Sequence, residues 1–112
     1  MTSETIATGL AGRLAEKKAE DVRVYDVRGT SPLTDFYVVA TGAAAPHLKA
    51  LAETVKSSAR EYGGDKWRSS GEPDSGWIVV DGIDVVVHVF SPEARAYYAL
   101  EKLWDKSPRA AV

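Results

Sequence analysis

A single histidine within a run of valines is the first candidate for chemistry in this 112-residue chain. The stretch WIVVDGIDVVVHVF, residues 77–90, contains His88 together with Asp81 and Asp84. Histidine and aspartate are residue types that hold metal ions or transfer protons. However, His88 has no second histidine beside it, and the two aspartates flank a turn several residue pairs away. The pattern therefore disfavours a metal centre or a catalytic base at His88.

Two other polar groups contain suitable residue types but lack the necessary neighbours. SPLTDF contains Ser31, Thr34 and Asp35 without an accompanying histidine, so turn formation and strand entry explain it better than a nucleophile. TGAAAPHLK places Gly42 and His47 near a helix start, where an anion could bind, but one glycine falls far short of a phosphate loop. The chain has no cysteine, which excludes thiolate chemistry and cysteine-ligated metals. We expect no catalytic residues, no metal ligands and no cofactor.

Length and composition predict a single globular domain. The chain is 45% hydrophobic and 27% charged, close to the average for globular proteins. Its net charge of −2 lacks the basic field that attracts nucleic-acid phosphates. It also has no signal pattern and no apolar run long enough to cross a bilayer. We expect a cytoplasmic protein without a membrane association or direct sequence-specific nucleic-acid binding.

Hydrophobic periodicity predicts an α/β fold with a mixed β-sheet packed with helices. Helices are predicted at 2–20, 46–62 and 92–104, and strands at 21–27, at 35–42, near Trp67 and within 77–90. In the last helix, Tyr97, Leu100 and either Leu103 or Trp104 are expected to form the buried stripe. We assign residues 1–106 to one domain and residues 107–112 to a flexible C-terminal tail.

The run 77–90 predicts a hairpin with two unlike faces. Gly82 and Ile83 fit a two-residue type II′ loop, which would place Asp81 opposite Asp84, Val79 opposite Val86, and Trp77 opposite His88. One face is then wholly aliphatic: Ile78, Val80, Val85, Val87 and Val89. The other face is mixed: Trp77, Val79, Asp81, Asp84, Val86, His88 and Phe90.

The mixed face has two interpretations that the sequence leaves open. In the first, a helix covers Trp77, Val86 and Phe90, His88 makes one buried hydrogen bond, and the aspartates only flank the turn. In the second, part of this face is open and forms a binding patch, because tryptophan is a favoured interface anchor. A homodimer that uses this face is a third arrangement.

Four stretches together resemble the ribosomal silencing factor family, also called the RsfS or Iojap family: LTDFYVVATG, HLKALAETV, WIVVDGIDVVVHVF and EARAYYALEKLW. The resemblance covers residues 33–104. It implies a nucleotidyltransferase-like core that lacks catalytic residues. Nucleotidyl transfer needs paired carboxylates that hold metal ions, typically after a Gly-Ser loop. Here Gly42 is followed by Ala43, so the sequence argues against that activity.

The resemblance also implies a function, which is to repress translation when nutrients are limiting. A member of this family would bind the large ribosomal subunit through ribosomal protein L-fourteen, sterically block joining of the small subunit, and form a homodimer when free. The expected contact residues are Trp77, Val79, Asp81, Asp84, Val86, His88, Glu93 and Tyr98. This chain departs from the family at the turn, where an aromatic residue followed by glycine is usual and Gly82-Ile83 stands instead. The alternative is a small nucleotide-binding or nucleotidyltransferase-like enzyme with a pocket near Gly42 and His47.

Overall fold

The computed structural model describes residues 2–62, 67–104 and 109–110. These residues form three α-helices and six strands, with short 3₁₀ turns at 60–62, 73–75 and 100–104. The order along the chain is α1 (Ser3–Glu16), β1 (Glu20–Asp26), β2 (Phe36–Thr41), α2 (Ala45–Ala59), β3 (Arg68–Glu72), β4 (Trp77–Asp81), β5 (Val85–Phe90), α3 (Pro92–Tyr98) and β6 (Arg109–Ala110).

The strands form one mixed sheet in the order β3-β4-β5-β2-β1-β6. β2 and β5 run parallel at its centre, whereas the other described neighbours run antiparallel. Five of the six residues of β2 are buried, which agrees with the continuous apolar run that predicts a covered strand. The predicted α/β fold with a mixed sheet is therefore confirmed.

Helices α1 and α2 cover one face of the sheet and enclose the main core. Apolar side chains at three- and four-residue spacing put Leu10 and Leu14 of α1 and Leu51 and Val55 of α2 at full burial. They pack on the aliphatic side of the hairpin, represented by Val87. The predicted aliphatic face is thus confirmed as the core face.

The hairpin register differs from the prediction by two residues. Phe90 lies opposite Trp77, His88 opposite Val79, and Val86 opposite Asp81. Accordingly, Trp77 does not oppose His88, Val79 does not oppose Val86, and Asp81 does not oppose Asp84. Because side chains alternate with period two, a shift of two leaves every residue on its predicted face.

The cause of the shift lies in the turn. Gly82 N–H donates to Val85 O at 2.8 Å and Asp84 N–H donates to Gly82 O at 2.9 Å, so Ile83 is the centre of a γ-turn with φ 74°. A Cβ on Gly82 would lie 2.6 Å from ring carbons of Trp67. The glycine therefore makes room for the Trp67 ring, and the type II′ prediction was wrong.

The last predicted helix is interrupted at Ala99, which has φ 47°. Residues Leu100–Trp104 then form a 3₁₀ turn, called here the C-terminal segment. Tyr97 is 83% exposed, so the predicted stripe was wrong for this residue, and of the two alternatives for its last position Leu103 is 76% exposed. Leu100 and Trp104 do pack against buried residues of the second sheet face. Contacts between the C-terminal segment and distant elements, described below, outweigh the continuous helical pattern.

The end of the described chain adds a short strand. β6 pairs with Val24 and Tyr25 of β1, although it falls within the predicted tail 107–112. Residues 107–108 and 111–112 lie outside the described part, and the domain limits stay a prediction. No described helix is long and apolar enough to span a membrane.

Two glycine substitutions, one in β3 and a control in α1, test the geometry of the β3–β4 pair. Gly71 has φ 93°, and a Cβ there would lie 2.3 Å from the carbonyl oxygen of Trp77. We expect Gly71→Ala to lower the free energy of unfolding by about 2 kcal/mol or more, measured by urea denaturation. Gly12 lies in α1 with open space where a Cβ would stand, so the control Gly12→Ala should raise it by about 0.5–1 kcal/mol. Equal stability of Gly71→Ala and the wild type would contradict this geometry.

Candidate functional site: an aromatic face

The second face of the sheet carries a continuous set of rings, called here the aromatic face: Tyr37, Trp77, His88, Phe90, Tyr98 and Trp104. Trp77 stacks on Phe90 with ring centroids 5.3 Å apart and contacts Tyr98 at 4.7 Å. At the other end, Tyr37 stacks on Trp104 at 4.0 Å with an interplanar angle of 13°. His88 lies between the two ends, 5.6 Å from Tyr37 and 6.0 Å from Trp77.

Strand periodicity and pairing bring these rings together. Trp77, His88 and Phe90 occupy alternate positions that point away from α1 and α2. The parallel pairing then sets Tyr37 beside Val86 and Val39 beside His88. The rings therefore come from five elements, β2, β4, β5, α3 and the C-terminal segment, and the sheet register sets the order of those on the strands.

His88 acts as a structural support for Trp77. It is 7% exposed, and its Nδ1 accepts a hydrogen bond from Trp77 Nε1 at 3.1 Å. Since an indole N–H can only donate, this bond requires an unprotonated Nδ1. Burial lowers the pKa of His88 to about 4, although the charge of Asp81 opposes the shift. The imidazole is thus neutral near pH 7 and holds the indole in place.

The aromatic face is partly covered and partly open. α3 and the C-terminal segment cover its β1–β2 side, where Tyr25, Val39 and Phe90 are buried. Trp77 and Val79 on β4 stay half-buried. The first interpretation is thus confirmed for Phe90 and for the buried hydrogen bond of His88, but not for Trp77 and Val86, which stay half-buried. The open part required by the second interpretation is present, and its role as a binding patch stays a prediction.

An open groove of about 520 Å³ lies at the turn end of the aromatic face. Exposed apolar side chains form its rim: Leu33, Ile83 and Leu103. Tyr37 and Trp104 also line it. Clustered exposed apolar groups of this kind are typical of contact surfaces.

The structure brings most of the predicted contact residues together. Trp77 contacts His88 and Tyr98, and Val79 lies directly opposite His88. Val86 is paired with Asp81 towards the groove. Their role in binding stays a prediction.

The three predicted acidic residues have different surroundings. Asp81 Oδ1 accepts a hydrogen bond from Ile83 N–H at 2.8 Å, so this carboxylate also stabilises the turn. Asp84 is exposed in the turn itself, and Glu93 is exposed in the first turn of α3. Of these three, only Asp81 lines the groove.

The predicted contact set missed seven residues that line the groove: Leu33, Thr34, Tyr37, Ile83, Leu100, Leu103 and Trp104. Tyr37 belongs to the face only because β2 runs parallel to β5, a pairing that no local pattern shows. Trp104 was expected only as one of two alternatives, with Leu103, for the buried stripe of a helix. The available signal in the sequence was the position of Leu33 and Ile83, which are large apolar residues directly beside turn-forming residues.

The region near Gly42 and His47 is occupied by the protein's own contacts. His47 Nδ1 accepts from Ala43 N–H at 3.1 Å, and its Nε2 lies 2.9 Å from Lys17 O. A Cβ on Gly42 would lie 2.8 Å from the side chain of Leu48. These residues therefore pack helices together, and nothing in their geometry favours the nucleotide-binding alternative. Within the described ranges, no group of three or more His, Cys, Asp or Glu residues could hold a metal ion.

Comparison with known proteins agrees with the resemblance of the motifs. The family model described as "Ribosomal silencing factor during starvation" matches residues 1–112. The Ribosomal silencing factor RsfS of Bacillus subtilis (strain 168) is 36% identical over 110 residues, which covers 98% of this chain and 93% of that protein. The chain belongs to the ribosomal silencing factor family. The family is regulatory rather than catalytic, so its membership confirms the prediction of a non-enzymatic protein.

Two crystal structures share this fold. A protein from Chromobacterium violaceum superposes with a TM-score of 0.87 at 36% identity, covering 93% of this chain and 87% of that one. A protein from Bacillus halodurans gives a TM-score of 0.78 at 37% identity, covering 94% and 96% respectively. The mixed sheet with its helices is therefore the architecture of the silencing factor family and its solved relatives.

The pKa of His88 predicts a loss of stability in mild acid. The unfolded chain takes up this proton near the ordinary value of 6.5, whereas the folded protein resists until about pH 4. The free energy of unfolding should be highest above pH 6.5 and fall by on the order of 3 kcal/mol as the pH drops towards 4. Denaturation at a series of pH values measures this slope.

His88→Gln should reduce the change in the free energy of unfolding between pH 6.5 and 5, because this variant lacks the imidazole that takes up a proton on unfolding. Ordinary carboxylates stay ionised in this range and do not contribute. The control is Ser57→Ala, an exposed change in α2 that removes no titratable group and should leave the slope in place. An unchanged slope in His88→Gln would contradict the assignment to His88.

Proposed function

We propose that this chain represses translation by binding the large ribosomal subunit through protein L-fourteen and blocking the small subunit sterically. The proposal rests on family membership and on one structural observation, the half-open aromatic face centred on Trp77. The expected nucleotidyltransferase-like core without catalytic carboxylates is part of the same proposal. In this proposal the protein acts in the cytoplasm, and it excludes the small subunit by covering part of the surface of the large subunit.

Trp77 is suited to be the anchor of such a contact. Its ring is half-buried between Phe90 and Tyr98, and its N–H is satisfied by His88. Because these contacts fix the ring before any partner arrives, little conformational entropy remains to be lost on binding. Aromatic residues with this combination of exposure and rigidity are frequent interface hot spots.

The residues around Trp77 extend the proposed contact. Val79 and Val86 supply apolar area on adjacent strands, and Tyr98 continues it onto α3. Asp81, Asp84 and the more distant Glu93 would attract a basic partner, because charge complementarity steers association. Ribosomal proteins are generally basic, which fits this arrangement.

A homodimer of the free protein is compatible with the same surface. A second copy that covers the aromatic face would bury Trp77 and compete with the ribosome. In this proposal the monomer is the form that binds large subunits, and dilution would favour it.

Trp77→Ala tests the anchor. We expect binding to isolated large subunits to weaken by more than about 1 kcal/mol, which is roughly fivefold, because the ring fills the centre of the contact. Affinity is measured by sedimentation through sucrose, and small subunits are then added to score joining. Lys49→Ala, an exposed change in α2 behind the sheet, should bind and block joining like the wild type. Full activity of a folded Trp77→Ala protein would rule out this anchor.

Ile83 gives a second test that separates stability from binding. A β-branched residue at φ 74° is strained, so Ile83→Gly should raise the free energy of unfolding by about 1 kcal/mol. The same change removes a side chain from the groove and should weaken binding to large subunits. Ile83→Ala keeps the backbone constraint, so it should weaken binding without this gain in stability. Normal binding by both variants would exclude the groove from the contact.

A further inference from the structure

The C-terminal segment forms one wall of the groove on the aromatic face. Trp104 stacks on Tyr37, and Leu100 and Leu103 line the cavity beside it. Five residues in a 3₁₀ conformation after the left-handed Ala99 have little intrinsic stability. The position of this wall must therefore come from contacts with other elements.

An ion pair between Arg95 of α3 and Glu101 of the C-terminal segment supplies the main contact. Arg95 Nε donates to Glu101 Oε1 at 2.6 Å, and Arg95 Nη2 donates to Glu101 Oε2 at 2.9 Å. This two-point geometry fixes direction as well as distance. The pair spans Ala99, so it determines the angle at which the segment leaves α3.

The same pair is tied to two strands. Arg95 Nη1 donates to Thr41 Oγ1 at 2.8 Å and to Asp21 O at 2.7 Å, and the Tyr25 hydroxyl donates to Glu101. The Arg95 side chain is only 11% exposed. Glu101 therefore joins α3, β1 and β2 to the segment that carries Trp104.

The ionised form of Glu101 is the one that these contacts favour. Burial opposes ionisation, but hydrogen bonds from Arg95 and Tyr25 outweigh it and lower the pKa of Glu101. Burial, followed by the hydrogen bond and charge of Glu101, raises the pKa of Tyr25 to about 12, so the phenol stays a donor. Removing the carboxylate would leave the largely buried Arg95 with the half-exposed Asp21, 3.6 Å away, as an acidic partner, and without the two-point hydrogen bond to Glu101.

We propose that Glu101 is a positioning residue for partner binding, because its bonds to Arg95 and Tyr25 set the groove that receives an apolar side chain of the partner. This inference rests on the proposed function. Glu101 lines a different cavity and not the groove, whereas Trp104 and Leu100 of the same segment line the groove. Its effect on the partner is therefore transmitted through the placement of those two side chains.

The test compares Glu101→Gln with the wild type in two measurements. Affinity for isolated large subunits should fall about tenfold. In protein labelled with 5-fluorotryptophan, the ¹⁹F resonance of Trp104, assigned with Trp104→Phe, should shift or broaden while those of Trp67 and Trp77 stay in place. The matched control is Glu53→Gln, which removes an exposed carboxylate of α2 paired with Lys56 and should change neither measurement.

Tyr25→Phe is the milder second variant. It removes one hydroxyl donor to Glu101 and keeps the ring that packs near Trp104. We expect a loss of affinity of about threefold with a smaller change in the Trp104 resonance, which keeps the test valid if Glu101→Gln does not fold.

The outcomes separate this inference from the proposed function. Wild-type protein that does not bind large subunits would overturn the proposed function, and the Trp104 resonance would then decide alone whether Glu101 places the segment. Wild-type binding together with unchanged affinity in both variants would overturn the inference and leave the function standing. A moved Trp104 resonance with reduced affinity in the variants would support both.

Discussion

The parallel pairing of β2 with β5 is the constraint on which the rest of this structure depends. It lies at the centre of the sheet and fixes which side chains of two distant segments stand side by side. On one side it joins Val38 and Val87 beneath α1 and α2. On the other side it places Tyr37 within reach of His88 and Trp104. The core and the aromatic face are thus two consequences of a single register.

What could be predicted from the sequence is what local periodicity determines. The alternation within 77–90 assigns each residue to its face, and the three- and four-residue spacing identifies the buried sides of α1 and α2. The hairpin pairing could not be predicted, because it follows from the γ-turn centred on Ile83 and from the packing of Trp67, which precedes β3, against Gly82 in the turn. The interruption at Ala99 depends likewise on Arg95 and Glu101 meeting Thr41 and Tyr25, far away in the sequence.

The residues of the candidate site likewise divide into those that local periodicity predicts and those that depend on distant contacts. Trp77, Val79 and His88 belong to one hairpin, so their common face could be predicted from the chain. Tyr37 and Trp104 reach that face through the sheet order and the C-terminal segment, and no spacing in the sequence relates them. The role of His88 also needed the structure, since only the bond from Trp77 shows that the imidazole is a neutral acceptor. The sequence disfavoured a reactive group at His88 and offered one buried hydrogen bond as an interpretation, and the structure identifies Trp77 as the donor of that bond.

Gly71 in β3, with its positive φ, affects how the edge of the sheet resists unwanted assembly. β3 is an outer strand, all five of its residues are exposed, and Arg68 and Glu72 place charges at its two ends. Outer strands of this kind are templates for aggregation by strand addition unless something spoils their regularity. Gly71 at φ 93° interrupts the extended backbone one residue before the end of that strand. The β3 edge of the sheet thus discourages the addition of a further strand.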